Sequence, residues 1–326
     1  MVDFSLVGHE IETPLLNAAG AINDAGEERI LQEVELLAST AIGAITVGSF
    51  TVHERIGNEA SFGGPVYYHD AQTGATYNSM GLPNIGLSAA VRLMPEIVRR
   101  AHARGKPVIA SVSPTEATVE IGDTFEQAVR LVGELQKTDV DLIEFNSSCP
   151  NVITKDGGRK PLLGYDLAGM ERLVIELGRI AGTHNARLGI KLPPYLLDQE
   201  VQLVPALAAL FREYPVFAFL VTSNTIPHRV ARDNAGQPIL RVPGGVGGMS
   251  GPATREVGRQ QLQLWHSHVG SEIEIISTLG MDSGRELAAR IQLGATAAGG
   301  VTFLWESSHW GRAVTEVVSE WAETLA

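Results

Sequence analysis

Short, unbroken apolar runs alternate along this chain with longer stretches whose apolar residues recur every three or four positions. The runs predict buried strands over 15–19, 43–48, 108–112, 142–146, 188–192, 217–222, 273–277 and 296–301. The periodic stretches predict helices over 27–39, 88–104, 125–137, 167–181, 201–213, 252–265 and 284–293, then a closing C-terminal helix. In the first of them Ile30, Leu31, Val34 and Leu37 share one helical face. Strands that are apolar at successive positions are covered on both faces, as parallel strands with helical crossovers are. Eight such strand–helix repeats predict an α/β fold, a (β/α)8 TIM barrel. The competing architecture is a doubly wound open sheet, but no Gly-x-Gly-x-x-Gly follows the first strand. No linker splits the chain, so residues 1–326 read as a single domain. Two long interruptions, 49–84 and 225–251, read as insertions over the C-terminal mouth, the first with room for a small hairpin.

Composition narrows the function classes. Hydrophobic residues make up 44% and charged residues 19%, enough for a large core and against disorder. A formal charge of -12 argues against nucleic acid as the main partner, because phosphate backbones need clustered Lys and Arg. The 35 glycines suit tight turns and close backbone approach to a ligand. The single cysteine, Cys149, excludes an internal disulfide and fits a reducing compartment. The stretch Met1–Glu10 has acidic residues and no sustained apolar run, so neither a signal peptide nor a membrane anchor is expected there. A soluble cytoplasmic protein is the expectation.

The chemistry lies at the predicted strand ends. Asn17, Ser111, Ser113, Asn146, Ser148, Cys149, Lys191, Thr222, Asn224, Ser277 and Thr278 all fall at or just past a strand C-terminus. That end of such a barrel is where active sites sit. A buried polar group left unpaired costs about 1–3 kcal/mol, so a convergence of them implies a polar ligand. Gly247 and Gly248, then Leu279 and Gly280, then Val301 and Thr302 fall around strands six to eight. Each glycine alone reads as a tight turn; together they favour a phosphate held on backbone N–H groups. A lone cysteine is usually a small buried hydrophobe. Cys149, between Ser148 and Pro150, equally suits a thiol base with a lowered pKa. Lys191, in K-L-P-P-Y, reads either as a surface ammonium or as a cation pointing into the mouth. His53, His69 and His228 lack metal-ligand spacing and read as solvated or local, so no metal is expected.

Four motifs carry a resemblance: N-S-M-G-L-P-N (Asn78 to Asn84), N-S-S-C-P-N (Asn146 to Asn151), K-L-P-P-Y (Lys191 to Tyr195) and T-S-N-T (Thr222 to Thr225). Their order and spacing resemble the dihydroorotate dehydrogenase family. They are most similar to its soluble class 1 enzymes, which have cysteine where class 2 has serine. The resemblance runs from about Asn17 to Phe303. It implies FMN at the barrel mouth, with hydride passing from C6 of dihydroorotate to flavin N5 and Cys149 removing the C5 proton. It implies substrate contacts from Asn78, Met80, Gly81, Leu82, Asn146, Asn151, Asn224 and Thr225. It implies FMN contacts from Ala19, Gly20, Gly48, Asn146, Lys191, Thr222, Gly248, Thr278, Gly280, Val301 and Thr302. Lys191 would stabilise negative charge at the flavin N1–C2 edge, and Gly248, Gly280 and Thr302 would cradle the phosphate. A homodimer is implied, with fumarate or an iron–sulfur partner subunit taking the electrons.

The chain departs from that pattern in its cations. The second lysine of class 1 falls on Gly48, and that of class 2 on about Asn23. The paired glycines after strand seven are Leu279 and Gly280, and the loop after Cys149 is longer than in the soluble enzymes. Two competing readings follow: an FMN oxidoreductase acting on another dihydropyrimidine or cyclic amide, and a phosphate-ligand-binding barrel without redox chemistry.

Overall fold

The apolar runs become one eight-stranded parallel sheet. Its strands are β1 (Leu15–Asn17), β2 (Ile45–Phe50), β3 (Val108–Val112), β4 (Leu142–Asn146), β5 (Arg187–Leu192), β6 (Phe217–Thr222), β7 (Glu274–Ser277) and β8 (Ala297–Gly300). The computed structural model of the chain describes residues 4–22, 26–115, 120, 122–154, 157–181 and 187–325. The lysine position expected at about Asn23 therefore lies outside the described residues. From β2 to β8 each strand pairs with its sequence neighbours, and β8 pairs with β1 through Ala298–Leu15 and Gly300–Asn17. A parallel bridge from Leu16 to Ala44 brings β1 onto the start of β2. Sequential order and that bridge make a barrel and exclude the open doubly wound sheet.

The helices bury the faces their patterns predict. Gly86–His102 turns Ala90, Met94, Ile97 and Ala101 inward. Thr124–Leu135 starts where Asp123 accepts from the Phe125 and Glu126 N–H groups, and Glu126 returns the bond in a capping box. A smaller core fills the barrel interior, with Leu16, Ile109, Leu142, Phe219 and Ile276. The hairpin Phe4–Leu6 and His9–Ile11, not foreseen from the sequence, adds Leu6 and Ile11 to that core. Strands that short carry too little periodicity to be recognised.

The two interruptions meet each other. Tyr67–Asp70 and Ala75–Asn78 form a hairpin in the first, and Ile226–Val230 and Val246–Ser250 pair in the second. Asn78 opposite Gly248 and Thr76 opposite Ser250 join them into a four-stranded antiparallel sheet. The expected helix over 252–265 begins later, as Arg255–Val269 after a 3-10 turn at Pro252–Thr254. The helix over 201–213 is two, Asp198–Val201 and Val204–Glu213.

One buried ion pair fixes the loop after β7. Arg290 is 0% exposed. It donates to Glu286 at 2.5 Å, to the Ser277 hydroxyl at 2.7 Å, and to the Thr278 and Leu279 carbonyls at 3.1 Å each. Breaking a buried pair by removing one partner costs about 3–5 kcal/mol. Arg290→Met is accordingly expected to lower the free energy of unfolding in urea by that amount, seen as a lower midpoint, and an unshifted midpoint would refute the assignment.

Candidate active site

The loop after β4 is clipped onto the end of β5. The Ser147 N–H, the Ser147 hydroxyl and the Ser148 hydroxyl all donate to the Lys191 carbonyl, at 3.2, 2.8 and 3.1 Å. Three donors on one carbonyl set Cys149 and Lys191 in the wall of one cleft. Asn146 ties in two more strand ends. Its amide oxygen accepts from the Ser148 N–H at 3.1 Å and from Asn224 at 3.3 Å, and its nitrogen donates to the Ser49 hydroxyl at 3.2 Å. These bonds brace Asn146 within the chain, and it still lines the cleft. Asn151 donates to Asn78 at 2.7 Å, linking the Cys149 loop to the hairpin over the mouth.

The cleft and its opening to solvent together span about 1010 Å³ not filled by atoms. Of the catalytic, substrate and FMN residues that the resemblance implies, sixteen line it: Ala19, Gly20, Asn78, Met80, Gly81, Leu82, Asn146, Cys149, Asn151, Lys191, Asn224, Thr225, Thr278, Gly280, Val301 and Thr302. Gly48, Thr222 and Gly248 do not. Gly248 lies behind Thr225, whose hydroxyl a Cβ there would meet at 2.0 Å. Ser250 and Gly251 line the wall in its place. Tyr67, Thr76, Ser250 and Trp305 were not foreseen. The first three reach the cleft through strand pairings between distant segments and Trp305 on the short helix after β8, and no local signal marks them. The buried side-chain oxygens Asn151 Oδ1, Thr222 Oγ1 and Thr225 Oγ1 have no hydrogen-bond partner among the described residues. Buried polar atoms without a partner call for one from outside the chain.

One end of the cleft is built for an anion. The N–H groups of Leu279, Gly280, Val301 and Thr302 have no acceptor among the described residues. They come from the loops after β7 and β8, the first of which Arg290 and the bond from Thr278 N–H to the Thr222 carbonyl (2.7 Å) hold in place. Leu279 and Gly280 adopt φ of 63° and 84°. A Cβ on Gly280 would also lie 2.6 Å from the Arg255 nitrogen, so glycine is required there. The hydroxyls of Thr76, Ser250 and Thr302 cluster at the same end, Thr76 lying 2.7 Å from Ser250 and 3.2 Å from Thr302. Tyr67 closes it, donating to Glu306 at 2.5 Å, and His69 pairs with the same carboxylate.

The cleft is also lined by a cation. Lys191 is 5% exposed, and its ammonium has no ion-pair or hydrogen-bond partner among the described residues. Burial pushes the Cys149 thiol above its ordinary pKa. Against that act the Asn151 backbone N–H and the charges of Arg55, Lys160 and Lys191. Gly48 is not a lysine site with its side chain trimmed away. Its φ is 95°, and a Cβ would lie 2.5 Å from the Ser111 carbonyl and 2.8 Å from the Phe50 nitrogen. The backbone here folds through the space a side chain would need. Among the described residues no group of three or more His, Cys, Asp or Glu could hold a metal, and no helix is long and apolar enough to cross a membrane.

Residues 1–321 match the family model described as dihydroorotate dehydrogenase. The chain belongs to the dihydroorotate dehydrogenase family. Among its curated relatives is the putative dihydroorotate dehydrogenase A (fumarate) of Streptococcus equi, 30% identical over 86% of this chain and 80% of the relative. The probable dihydroorotate dehydrogenase A (fumarate) of Enterococcus faecalis is 28% identical over 90% of this chain and 84% of its own length. Ligand-free DHODH from Eimeria tenella superposes with a TM-score of 0.76 at 18% identity, covering 99% of this chain and 87% of that one, and so shares the fold. Membership in the family leaves the substituted lysine position at Gly48 as a feature of this chain to be explained.

Proposed function

We propose that this protein oxidises dihydroorotate to orotate with FMN as its cofactor and fumarate as the electron acceptor. The observation that carries the reading is the clip that sets a thiol and a buried ammonium in one cleft with four backbone N–H groups, the ammonium and the N–H groups having no partner among the described residues. FMN fits these residues. Leu279, Gly280, Val301 and Thr302 would hold its phosphate, with the Thr76, Ser250 and Thr302 hydroxyls around it. Gly20, with φ of 102° and nothing within 4 Å of where a Cβ would stand, leaves room beside it for the flavin ring. Lys191 would face the ring as a fixed cation. Bound there, FMN supplies the acceptor for the hydride from substrate C6.

The chain's own residues do the rest. Cys149 as thiolate takes the C5 proton and becomes the thiol, so the C5–H electron pair forms the new C5–C6 double bond as hydride leaves C6. Asn78, Asn151 and Asn224 hold the ring amides, and Thr225 and Asn151 carry buried oxygens ready for ring N–H donors. Lys191 is in place before reaction, so no solvent need reorganise around the charge that hydride transfer delivers. The four-stranded sheet lies over the mouth.

Adding dihydroorotate without oxygen to the purified flavoprotein is expected to bleach the visible flavin band, and fumarate to restore it. Dihydrouracil is expected to leave the band unchanged. One observation favours a second reading: Lys191 is the only Lys or Arg lining the cleft among the described residues, so a substrate carboxylate has few cations to meet. If dihydrouracil bleaches the flavin and dihydroorotate does not, the substrate is a dihydropyrimidine without that carboxylate.

A further inference from the structure

The loop beyond Cys149 does more than lengthen the mouth. After Val152 it turns back on itself, with Ile153 bridging Arg159 and the Gly157 N–H donating to the Thr154 carbonyl at 2.9 Å. The return places two cations along the chain that carries Cys149. Lys160 N–H donates to the Val152 carbonyl at 3.2 Å. Arg159 donates to the Pro150 carbonyl at 3.2 Å and, across the mouth, to the Val246 carbonyl at 2.5 Å. The Lys160 ammonium donates to the Pro114 carbonyl at 3.1 Å, just past β3. Neither side chain has a carboxylate partner among the described residues, and neither lines the cleft.

We infer that Lys160 is the second cation of this site, a positioning residue that favours the thiolate of Cys149 from behind the cleft wall. The inference rests on Cys149 being the base. The charged groups that act on the thiol are Arg55 from the first interruption, Arg159 and Lys160 from the returning loop, and Lys191 from β5. Arg55 and Arg159 are engaged with carbonyls, Arg55 with that of Gly81 at 2.9 Å, and stay charged whatever the thiol does. Lys160 differs. Burial lowers its pKa to about 8, and the charge of Cys149 works against that fall. The Lys160 ammonium and the Cys149 thiol favour each other's charged forms, so the two behave as one coupled pair. With the backbone at Gly48 unable to carry a side chain, positive charge reaches the thiol from the other side of the loop.

The test is the alkylation of Cys149 in the flavin-loaded protein by iodoacetamide across the neutral to alkaline range, read by mass spectrometry. It needs no substrate. Lys160→Met is expected to raise the midpoint by about one pH unit, equivalent to tenfold less thiolate below it. Lys160→Arg is expected to return most of that shift. Lys160→Met should unfold no earlier than the parent on heating, because a buried ammonium without a carboxylate costs stability. A parental midpoint in Lys160→Met, or a raised midpoint that arginine does not lower, overturns the inference. So does early melting with loss of flavin, which would make the role structural. If dihydroorotate fails to bleach the parent flavin while the midpoint still shifts, the proposed substrate falls and the assignment of Lys160 stands.

Discussion

Cys149→Ser keeps its flavin and loses about 10²–10⁴-fold in the rate at which dihydroorotate reduces it, the range a positioned general base contributes. Serine preserves the shape of the loop. The clip to the Lys191 carbonyl uses the Ser147 N–H and the Ser147 and Ser148 hydroxyls, and none of these changes. What changes is the acid. A hydroxyl is far harder to ionise than a thiol at neutral pH, and the cations around residue 149 are too few to bridge that gap. Single-turnover bleaching in a stopped-flow instrument measures the loss directly. Reduction at the parental rate would remove Cys149 from the mechanism.

Lys191→Ala produces the second large effect. A preorganised charge aimed at developing negative charge is worth about 10²–10³-fold when removed. The loop geometry survives, because the clip binds the Lys191 backbone carbonyl and not its side chain. The expected result is slow flavin reduction together with faster escape of flavin on dilution, followed by its fluorescence. Parental values for both would reduce Lys191 to a packing role. The contrast with Lys160 is instructive. Lys191 lines the cleft and should affect flavin retention, whereas Lys160 lies behind the wall and should move only the pH at which Cys149 reacts.

The barrel was legible because its signal is local. Each strand is an apolar run and each helix a three-to-four repeat, so their order could be read without knowing what touches what. Boundaries moved where a cap or turn decided them, as at Arg255, where Gly251–Thr254 forms its own tight turn before the helix starts. Most of the cleft was legible too, because a barrel of known direction sends every strand end to the same mouth. Asn146, Cys149, Lys191, Asn224 and Thr278 could be gathered from their positions in sequence alone.

Other parts were decided only in three dimensions. The sheet over the mouth depends on Thr76 facing Ser250 and Asn78 facing Gly248, pairings between segments whose sequences carry no mark of each other. Tyr67, Thr76 and Ser250 enter the site through it. Gly248 falls behind Thr225, and Asn146 turns out to be braced by its neighbours, because a side chain's direction and bonding depend on what surrounds it. Sequence alone determined the repeat, the polar strand ends and the gap in the lysine pattern at Gly48. The tertiary structure decided how that gap is met. The backbone at Gly48 occupies the room a side chain would need, and the returning loop brings Lys160 to the thiol from behind. Charge acts through space, so where it acts is fixed by the folded chain and not by the order of residues along it.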